Sequence, residues 1–287
     1  MKKNIAVVTT RHDRSDVRIF SKQVMSLYEK YNIDFYVLDG KGNDLIKNIN
    51  IIDYSTKNSI LTKILFDYPK IIYAIILNKY HSVHFHDPDF LICTPLLKLF
   101  KRSTSIYYDI HEDLPRQILT KPYLRFRNII SFFIEIIENL LTFLFIDKIF
   151  CATPAISNRF SFIKKNYVVA NYPQINFLKK FIISDFKKIS NSICYIGSIS
   201  FTRGLKEILN LAGLNSIDSI ELIGRFENSD TELFAKAHKN WYKINYHGIL
   251  SQEKLFKIVS NSKAGLCLLH PTKNYLESIP VKIFEYM

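Results

Sequence analysis

Glycine and proline are scarce in this chain of 287 residues, which contains 8 glycines and 9 prolines. The sequence also has no short-period repeat and no low-complexity segment. Hydrophobic residues make up 48% of it and charged residues 23%, which is typical of a globular protein and not of a disordered one. The length is sufficient for two domains of ordinary size.

Cysteine is also rare, and the four cysteines include no C-x-x-C pair. They are Cys93, Cys151, Cys194 and Cys267, of which the last three lie in apolar runs of strand length. We therefore expect buried, reduced thiols and a reducing compartment. The apolar run at 5–8 is too short for the hydrophobic region of a signal peptide, so it predicts a first buried strand.

Acidic residues are in deficit, with 26 Asp and Glu against 39 Lys and Arg, for a formal net charge of +13. Such a charge permits nucleic acid, an anionic membrane surface or phosphorylated substrates as partners. The basic residues are spread along the chain and form no recognition motif, so we expect no nucleic-acid partner.

One apolar run, at 129–150, is long enough to cross a bilayer. It contains Glu135, Glu138 and Asn139, and a charge at mid-bilayer would be costly. The two glutamates share one helical face and leave the other faces apolar. We expect a buried or interface-lying helix here. With the apolar helix predicted at 59–79 and the net charge, it predicts peripheral association with anionic membranes.

Apolar runs of strand length alternate with helical patterns, which favours parallel sheets with helices on both faces. The predicted strands are 5–10, 33–38, 81–86, 105–110, 148–152, 167–170, 193–196, 217–223, 243–247 and 264–269. The predicted helices are 16–30, 59–79, 89–102, 129–145, 203–211, 231–239 and 252–260. The turn signal Asn171-Tyr-Pro173 divides the pattern into two Rossmann-like halves, 1–172 and 173–287.

Two carboxylates follow the last predicted strand. Glu277 lies on the loop before a helix that Pro280 is suited to begin, and Glu285 lies inside that helix. A strand, a loop and a helix N-terminus form a crevice at the carboxyl end of a parallel sheet, where open α/β folds bind ligands. Two exposed glutamates on a surface helix are the alternative.

The segment 194–206 has a strand, a loop that begins at Gly197 and a cationic helix start with Arg203 and Lys206. A helix N-terminus offers free N–H groups to a diphosphate, and glycine lets a ligand approach the backbone. Arg203 can form bidentate bonds to phosphate oxygens. By itself this pattern is weak, because many unrelated sheets contain it.

Three further polar clusters follow predicted strands. His84-Phe-His86-Asp87-Pro-Asp89 has two histidines on one strand face and a D-x-D spacing, but no matching ligand cluster elsewhere favours a metal. Tyr107-Tyr-Asp109-Ile-His111-Glu112-Asp113-Leu-Pro115 is either a crevice or a helix cap. Asp16 and Arg18 either face a ligand or begin a helix.

Glu277 and Glu285, embedded in Pro280-Val-Lys282-Ile-Phe-Glu285-Tyr-Met287, resemble the E-x7-E signature of GT-B retaining glycosyltransferases of family 4. The sequence around these glutamates most resembles the branch that builds bacterial capsule, exopolysaccharide and O-antigen. The resemblance implies a GT-B fold of two Rossmann-like domains facing a cleft, and transfer of a sugar from a nucleoside-diphosphate donor to a glycan or lipid-linked acceptor. It implies a cytoplasmic enzyme at the inner face of the bacterial plasma membrane.

The resemblance also assigns roles. His111 and Glu277 would be catalytic and face the donor sugar, and Glu285 would bind the ribose. The other donor-binding residues would be Gly197, Ser198, Arg203, Lys206 and Lys282. Ser198 stands where the family usually has a first basic residue, and Lys206 is a partial substitute. The acceptor side, in 1–172, would include Asp16, Arg18, His86, Asp109 and Glu112. No metal or cofactor is expected, because Arg203 and the helix N-terminus would carry the diphosphate charge.

The family normally continues beyond the position of Met287, so the resemblance predicts an incomplete second domain and a poorly fixed Glu285. Two alternatives stay open. One is a nucleotide-sugar epimerase of the same fold, which needs no acceptor. The other is a truncated, non-catalytic remnant or binding protein.

Overall fold

The computed structural model describes residues 2–56, 59–121, 124–182, 189–272 and 275–287. It consists of two compact units, Met1–Asn171 and Tyr172–Met287. This division falls one residue before the boundary predicted from the turn signal.

The first unit has an eight-stranded sheet in the order β3-β4-β2-β1-β5-β6-β7-β8, and only β3 runs antiparallel to its neighbour. Its strands are β1 (Lys3–Val8), β2 (Tyr31–Val37), β3 (Asp44–Ile46), β4 (Ile49–Asp53), β5 (Ser82–Phe85), β6 (Ser105–Ile110), β7 (Lys148–Cys151) and β8 (Asn166–Val168). Its α-helices are α1 (Met25–Leu27), α2 (Ile60–Thr62), α3 (Tyr68–Leu77), α4 (Thr94–Phe100), α5 (Leu114–Leu119), α6 (Arg127–Phe145) and α7 (Pro154–Arg159). Val17–Val24 and Lys63–Asp67 are π-helical, and Pro88–Cys93 is a 3₁₀-helix.

The central strand β1 is covered on both faces, which explains its uninterrupted apolar run. Ala6 and Val8 belong to one apolar cluster, while Ile5 and Val7 belong to the cluster on the other face. Successive side chains of a strand point to opposite faces, so one strand supplies both clusters. The core of the unit therefore lies on either side of its sheet.

The hairpin of β3 and β4 is missing from the sequence-based prediction. Its turn is formed by Lys47 and Asn48, which adopt positive φ angles of 48° and 65°. Two-residue hairpin turns of this type usually contain glycine, because both central residues need φ above zero. Without a glycine, the sequence gives no signal for this hairpin.

Helix α6 has its polar side turned inward. Ser131, Glu138 and Thr142 are buried, and Glu138 accepts hydrogen bonds from the Tyr108 hydroxyl at 3.0 Å and from Nη2 of Arg159 at 2.7 Å. The exposed side chains include Ile129, Phe132, Phe133, Ile136, Ile137, Leu140, Phe143 and Leu144. By length and composition α6 could cross a membrane, and 17% of it is buried within the protein. The expectation of a buried helix is therefore wrong, whereas an interface-lying helix is compatible with this exposure.

The second unit has a four-stranded parallel sheet in the order β11-β10-β9-β12. Its strands are β9 (Ser190–Ile196), β10 (Ser219–Ile223), β11 (Ile244–Gly248) and β12 (Ser262–Leu266). Its α-helices are α8 (Ile175–Leu178), α9 (Leu205–Ala212), α10 (Ser229–Lys236), α11 (Gln252–Ser260) and α12 (Val281–Tyr286), and Lys179–Phe181, Phe201–Arg203 and Trp241–Lys243 are 3₁₀-helices. Its buried core includes Tyr195, Leu205, Leu209 and Leu222.

All four cysteines are unpaired. Cys93, Cys151 and Cys194 are buried, and burial raises the pKa of the Cys93 thiol to about 12. Cys267 is only half-buried, so the expectation of buried thiols holds for three of the four.

Candidate functional site

Two cationic groups of the second unit converge on Gly197, at the carboxyl end of β9. A Cβ built on Gly197 would lie 3.2 Å from Nζ of Lys282 and 3.6 Å from Nη1 of Arg203. Arg203 is held in place by Tyr275, whose hydroxyl accepts a hydrogen bond from Nε at 3.0 Å and whose ring lies 5.5 Å from the guanidinium carbon. The absence of a side chain on Gly197 therefore lets the Lys282 amine and the Arg203 guanidinium approach the backbone closely.

The backbone around Gly197 also requires glycine. Gly197 has a φ of 129°, which L side chains rarely adopt, and the neighbouring Gly224 has a φ of 144°. A Cβ on Gly224 would lie 1.8 Å from the carbonyl oxygen of Gly197, so the two loops touch through their backbones. Two of the few glycines in the chain thus shape this loop.

Ser198 and Lys206 lie differently from the two converging cations. Ser198 is exposed, and its carbonyl oxygen accepts a hydrogen bond from the Tyr195 hydroxyl at 2.8 Å. The Lys206 ammonium lies 5.5 Å from the centre of the Phe201 ring and 6.0 Å from that of Phe234. Lys206 is not among the nearest neighbours of the Gly197 Cβ position, which belong to Lys282 and Arg203. Its role in donor binding stays a prediction.

Helix α12 is fastened to the sheet by Tyr286. The Tyr286 hydroxyl accepts a hydrogen bond from the backbone N–H of Ile196 at 3.0 Å and donates one to the carbonyl oxygen of Leu266 at 3.2 Å. Its ring covers Gly265, where a Cβ would lie 2.2 Å from a ring carbon. The neighbouring Glu285 therefore belongs to an anchored helix, contrary to the expectation that it is poorly fixed.

The two signature glutamates occupy the elements that the sequence predicts for them. Glu277 lies in an exposed turn before α12, and Glu285 lies in the helix and is partly buried. Glu285 also borders an apolar cavity of about 840 Å³ together with Phe256, Phe284 and Met287. Pro280 is the residue before the helix and not its first residue, a shift of one position from the prediction.

In the first unit, Asp109 at the end of β6 is the centre of a buried polar network. Its carboxylate accepts hydrogen bonds from Nη2 of Arg18 at 2.6 Å and from Nε2 of Gln23 at 2.5 Å. It also lies 3.2 Å from Nδ1 of His86 and 2.8 Å from Nε2 of His111. Because β5 and β6 are parallel neighbours, the histidines that follow them meet at one edge of the sheet.

Electrostatics set the charges of this network. Burial opposes ionisation of Asp109, but the charge of His111 and its hydrogen bond hold the pKa of Asp109 well below its usual range. Burial lowers the pKa of His86, and it lowers the pKa of His84 to about 3. The network therefore joins an ionised carboxylate to a guanidinium, and burial favours the neutral forms of the His84 and His86 imidazoles.

Three residues of the expected acceptor side are buried, and their role towards an acceptor stays a prediction. Arg18 and Asp109 are buried and paired with each other, so together they hold the sheet edge. His86 is also buried. Asp16 accepts a hydrogen bond from the N–H of Ile19 at 2.9 Å, which is the helix-capping alternative.

The other two residues predicted in this unit are more accessible. The His111 side chain is 14% exposed, so its outer edge can be reached while Asp109 holds its inner one. Glu112 is exposed and accepts a hydrogen bond from Nε2 of Gln117.

The sequence gives no role to a second carboxylate at the same sheet edge, Asp87 of the D-x-D spacing. Asp87 accepts hydrogen bonds at 2.7 Å from both the Thr9 hydroxyl and the Thr10 N–H, and its other oxygen lies 2.9 Å from Nδ1 of His12. The hydrogen bond to Asp87 raises the pKa of His12. The adjacent Asp89 binds Thr10 and Arg11, which lie on the loop after β1. The D-x-D spacing therefore serves to hold that loop.

Among the described residues, His84, His86 and Asp109 offer ligand atoms within 4.8 Å of one another, a spacing that a metal ion could bridge. Both oxygens of Asp109 already accept hydrogen bonds from Arg18, and the guanidinium brings a positive charge into the same site. A second cation there would be repelled at close range. We therefore interpret the group as a paired buried network, and the absence of a metal requirement stays a prediction.

No family model and no curated protein sequence matches the chain. Solved structures do. Sucrose-phosphate synthase from Thermosynechococcus elongatus aligns with a TM-score of 0.76 at 12% identity, over 99% of this chain and 79% of that one. Anabaena HepE in complex with UDP-glucose aligns with a TM-score of 0.68 at 10% identity, over 99% and 78%. The catalytic domain of Arabidopsis thaliana starch synthase IV, bound to ADP and acarbose, aligns with a TM-score of 0.66 at 8% identity, over 99% and 81%.

The alignments confirm the predicted fold class. Both units, with their parallel sheets and flanking helices, match the GT-B fold of glycosyltransferases over nearly the whole chain. At these identities the likeness establishes the fold, and activity has to be argued from the residues of the site.

Proposed function

We propose that the protein is a glycosyltransferase that moves a sugar from a nucleoside-diphosphate donor to a hydroxyl of a glycan or lipid-linked glycan in surface polysaccharide biosynthesis. The observation that carries this proposal is the convergence of Arg203 and Lys282 on Gly197. The resemblance to family 4 adds retention of the anomeric configuration.

The second unit supplies what a diphosphate needs. Arg203 presents a guanidinium beside the backbone of Gly197, and α9 begins two residues later, at Leu205. Guanidinium groups bind phosphate oxygens in bidentate fashion, and helix N-termini offer unpaired N–H groups to anions. HepE and starch synthase IV were solved with UDP-glucose and ADP, which supports the same class of ligand here. Glu277 and Glu285 are then proposed to bind the sugar and the ribose.

The first unit is proposed to receive the acceptor. His111, which the resemblance assigns to the donor sugar, presents its accessible edge at the carboxyl end of β6, where donor and acceptor would meet. His12 lies beside it with ring centres 5.4 Å apart. Buried carboxylates orient both rings, Asp109 for His111 and Asp87 for His12. Imidazoles fixed in this way are suited to hydrogen-bond sugar hydroxyls.

We further propose that the first unit docks on the inner face of the bacterial plasma membrane, where lipid-linked acceptors would be found. The exposed apolar side of α6 supports this, because a contiguous apolar surface of this kind is unusual on a soluble monomer. Arg125 and Arg127 are exposed at the start of α6, and Arg102 is exposed after the contacting helix α4. Basic residues beside an apolar helix face favour anionic lipid surfaces.

Binding of UDP, GDP and ADP by calorimetry tests the donor site. Arg203→Ala should weaken nucleoside-diphosphate binding by about 1.5–3 kcal/mol, the range for hydrogen bonds to charged groups. The control is Lys254→Ala, which removes an exposed positive charge from the same unit. Equal affinity in wild type and Arg203→Ala would remove the diphosphate role.

Activity is then tested with a panel of nucleotide sugars and lipid-linked acceptors, with analysis of product and anomeric configuration. Sugar transfer that requires an acceptor supports the proposal. Conversion of the nucleotide sugar without an acceptor would instead identify an epimerase, and donor binding without turnover would favour a binding protein.

A further inference from the structure

Lys282 stands out in the second unit because its ammonium group is buried without a hydrogen-bond partner among the described residues. Nζ lies 4.4 Å from the centre of the Tyr195 ring and 3.2 Å from the position that a Cβ on Gly197 would take. A buried charge without a partner is costly, so such a group either loses its proton or receives a counter-ion. The group lies beside Gly197 and Arg203, where the proposed diphosphate would bind.

We propose that Lys282 is a proton-linked anion receptor: it takes up a proton when a nucleoside diphosphate binds and so supplies the second cation of the site. This inference rests on the proposed function of the site and adds its pH dependence. It also explains how the site could have a serine, Ser198, where the family usually has a basic residue. The amine of Lys282, from α12, would supply the missing positive charge.

The groups around Lys282 determine when it is charged. Burial, followed by the positive charge of Arg203, lowers the pKa of Lys282 to about 8, whereas Cys267 and Glu285 act in the opposite direction. Burial raises the pKa of Tyr195 to about 12, so that ring stays neutral over the range of interest. A lysine with this pKa is only partly protonated above neutral pH.

Binding of an anion reverses this balance, because an opposite charge within a few ångströms favours the protonated amine. The bound complex therefore has a higher Lys282 pKa than the free protein. By linkage, the affinity for the nucleoside diphosphate is highest below about pH 8. It declines as the pH rises from the Lys282 pKa of the free protein towards that of the complex. The proton comes from the solvent, and no bond of the nucleotide changes.

The test is calorimetric titration with UDP in pairs of buffers that differ in ionisation enthalpy. The wild-type protein should take up about half a proton per UDP at pH 8, more at pH 9 and about a tenth at pH 7. The terminal phosphate of UDP, with a pKa near 6, is ionised from pH 8 upwards and adds little there. A Cys267→Ser variant should behave like wild type, which excludes the neighbouring thiol as the titrating group.

Two substitutions of Lys282 separate charge from proton uptake. Lys282→Arg keeps a permanent charge and should bind UDP at pH 9 without proton uptake. Lys282→Met should bind at least about tenfold more weakly at pH 7, with no uptake at any pH, whereas Lys254→Met should match wild type. Thermal unfolding of each variant checks its fold.

The outcomes distinguish the two proposals. UDP binding by wild type and Cys267→Ser with no proton uptake between pH 7.5 and 9 would overturn the role of Lys282 and leave the donor site intact. This holds even if the Lys282 variants fail to fold. No UDP, GDP or ADP binding at any pH would overturn the donor site and the inference together.

Discussion

Oδ2 of Asp109 lies 2.8 Å from Nε2 of His111, so a fully buried carboxylate orients the imidazole that we propose contacts substrate. The same carboxylate neutralises Arg18, which is 91 residues away in the chain. One charged side chain thus joins the helix after β1 to the end of β6 and fixes the position of His111.

Replacing Asp109 by asparagine should lower the free energy of unfolding by about 3–5 kcal/mol, because it leaves the Arg18 guanidinium buried without its counter-charge. Urea denaturation measures the change. Glu253→Gln, which removes one half of an exposed ion pair with Lys257, should change stability by less than about 1 kcal/mol. A similar small loss for Asp109→Asn would contradict the structural role given to this pair.

The His12–Asp87 pair should make stability depend on pH. The folded state raises the pKa of His12, so its contribution is complete below the unfolded value of about 6.5 and is lost as pH rises through the folded value. The loss in urea midpoint on His12→Gln should therefore be larger at pH 5.5 than at pH 8.5. His81→Gln, at an exposed position, serves as the control. A His12→Gln loss that is the same at both pH values would show that the pair is not charged.

Gly197→Ala should weaken UDP binding at least about tenfold, because the new methyl group would lie 3.2 Å from Nζ of Lys282 and displace this amine beside Arg203. Gly42→Ala is the matched control. Gly42 also has a positive φ, of 77°, but a Cβ there meets no atom within 4 Å. Both variants should lose stability through backbone strain, whereas only Gly197→Ala should lose affinity. Equal affinities would place the diphosphate elsewhere.

Replacing Phe132 and Phe133 on α6 by serine should weaken binding to anionic vesicles at least about tenfold, because each exposed phenylalanine contributes about 1.5–3 kcal/mol when buried in lipid. Both side chains are more than half exposed, so stability should change little. Vesicle sedimentation at low and high salt measures the binding, which should also decline with salt. Tyr242→Ser, at a 79% exposed aromatic of the second unit, should leave it unchanged. Wild-type protein that stays in the supernatant at low salt would argue against membrane docking.

The fold class followed from sequence to a large extent. Strand β6 and helix α11 have the bounds that their patterns predict, and the alternation of strands and helices indicates parallel sheets. Such patterns are local, because the period of side chains along a strand or helix depends on neighbours in the chain. The E-x7-E spacing is local as well, and it placed Glu277 before α12 and Glu285 inside it.

The pairing of the polar residues was decided by tertiary structure. The resemblance placed Arg18 on the acceptor side, and only the tertiary structure shows that it is buried against Asp109. Asp87 looked like part of a metal motif, yet it holds Thr9, 78 residues before it. A parallel sheet brings the carboxyl ends of distant strands together, and no local period records which side chains meet there.

The sequence also did not determine which side of a helix packs against the protein and which side is exposed. The pattern of α6 shows an apolar and a polar side, but the same amphipathic pattern serves a helix with either side inward. Only packing shows that Glu138 points to Tyr108 and Arg159 while the phenylalanines face outward. The same holds for Lys282, whose place in the sequence motif predicted a donor contact but not a buried amine over Tyr195. Sequence determined which elements form, and long-range packing determined which of their charges are buried, paired or left facing the proposed ligand.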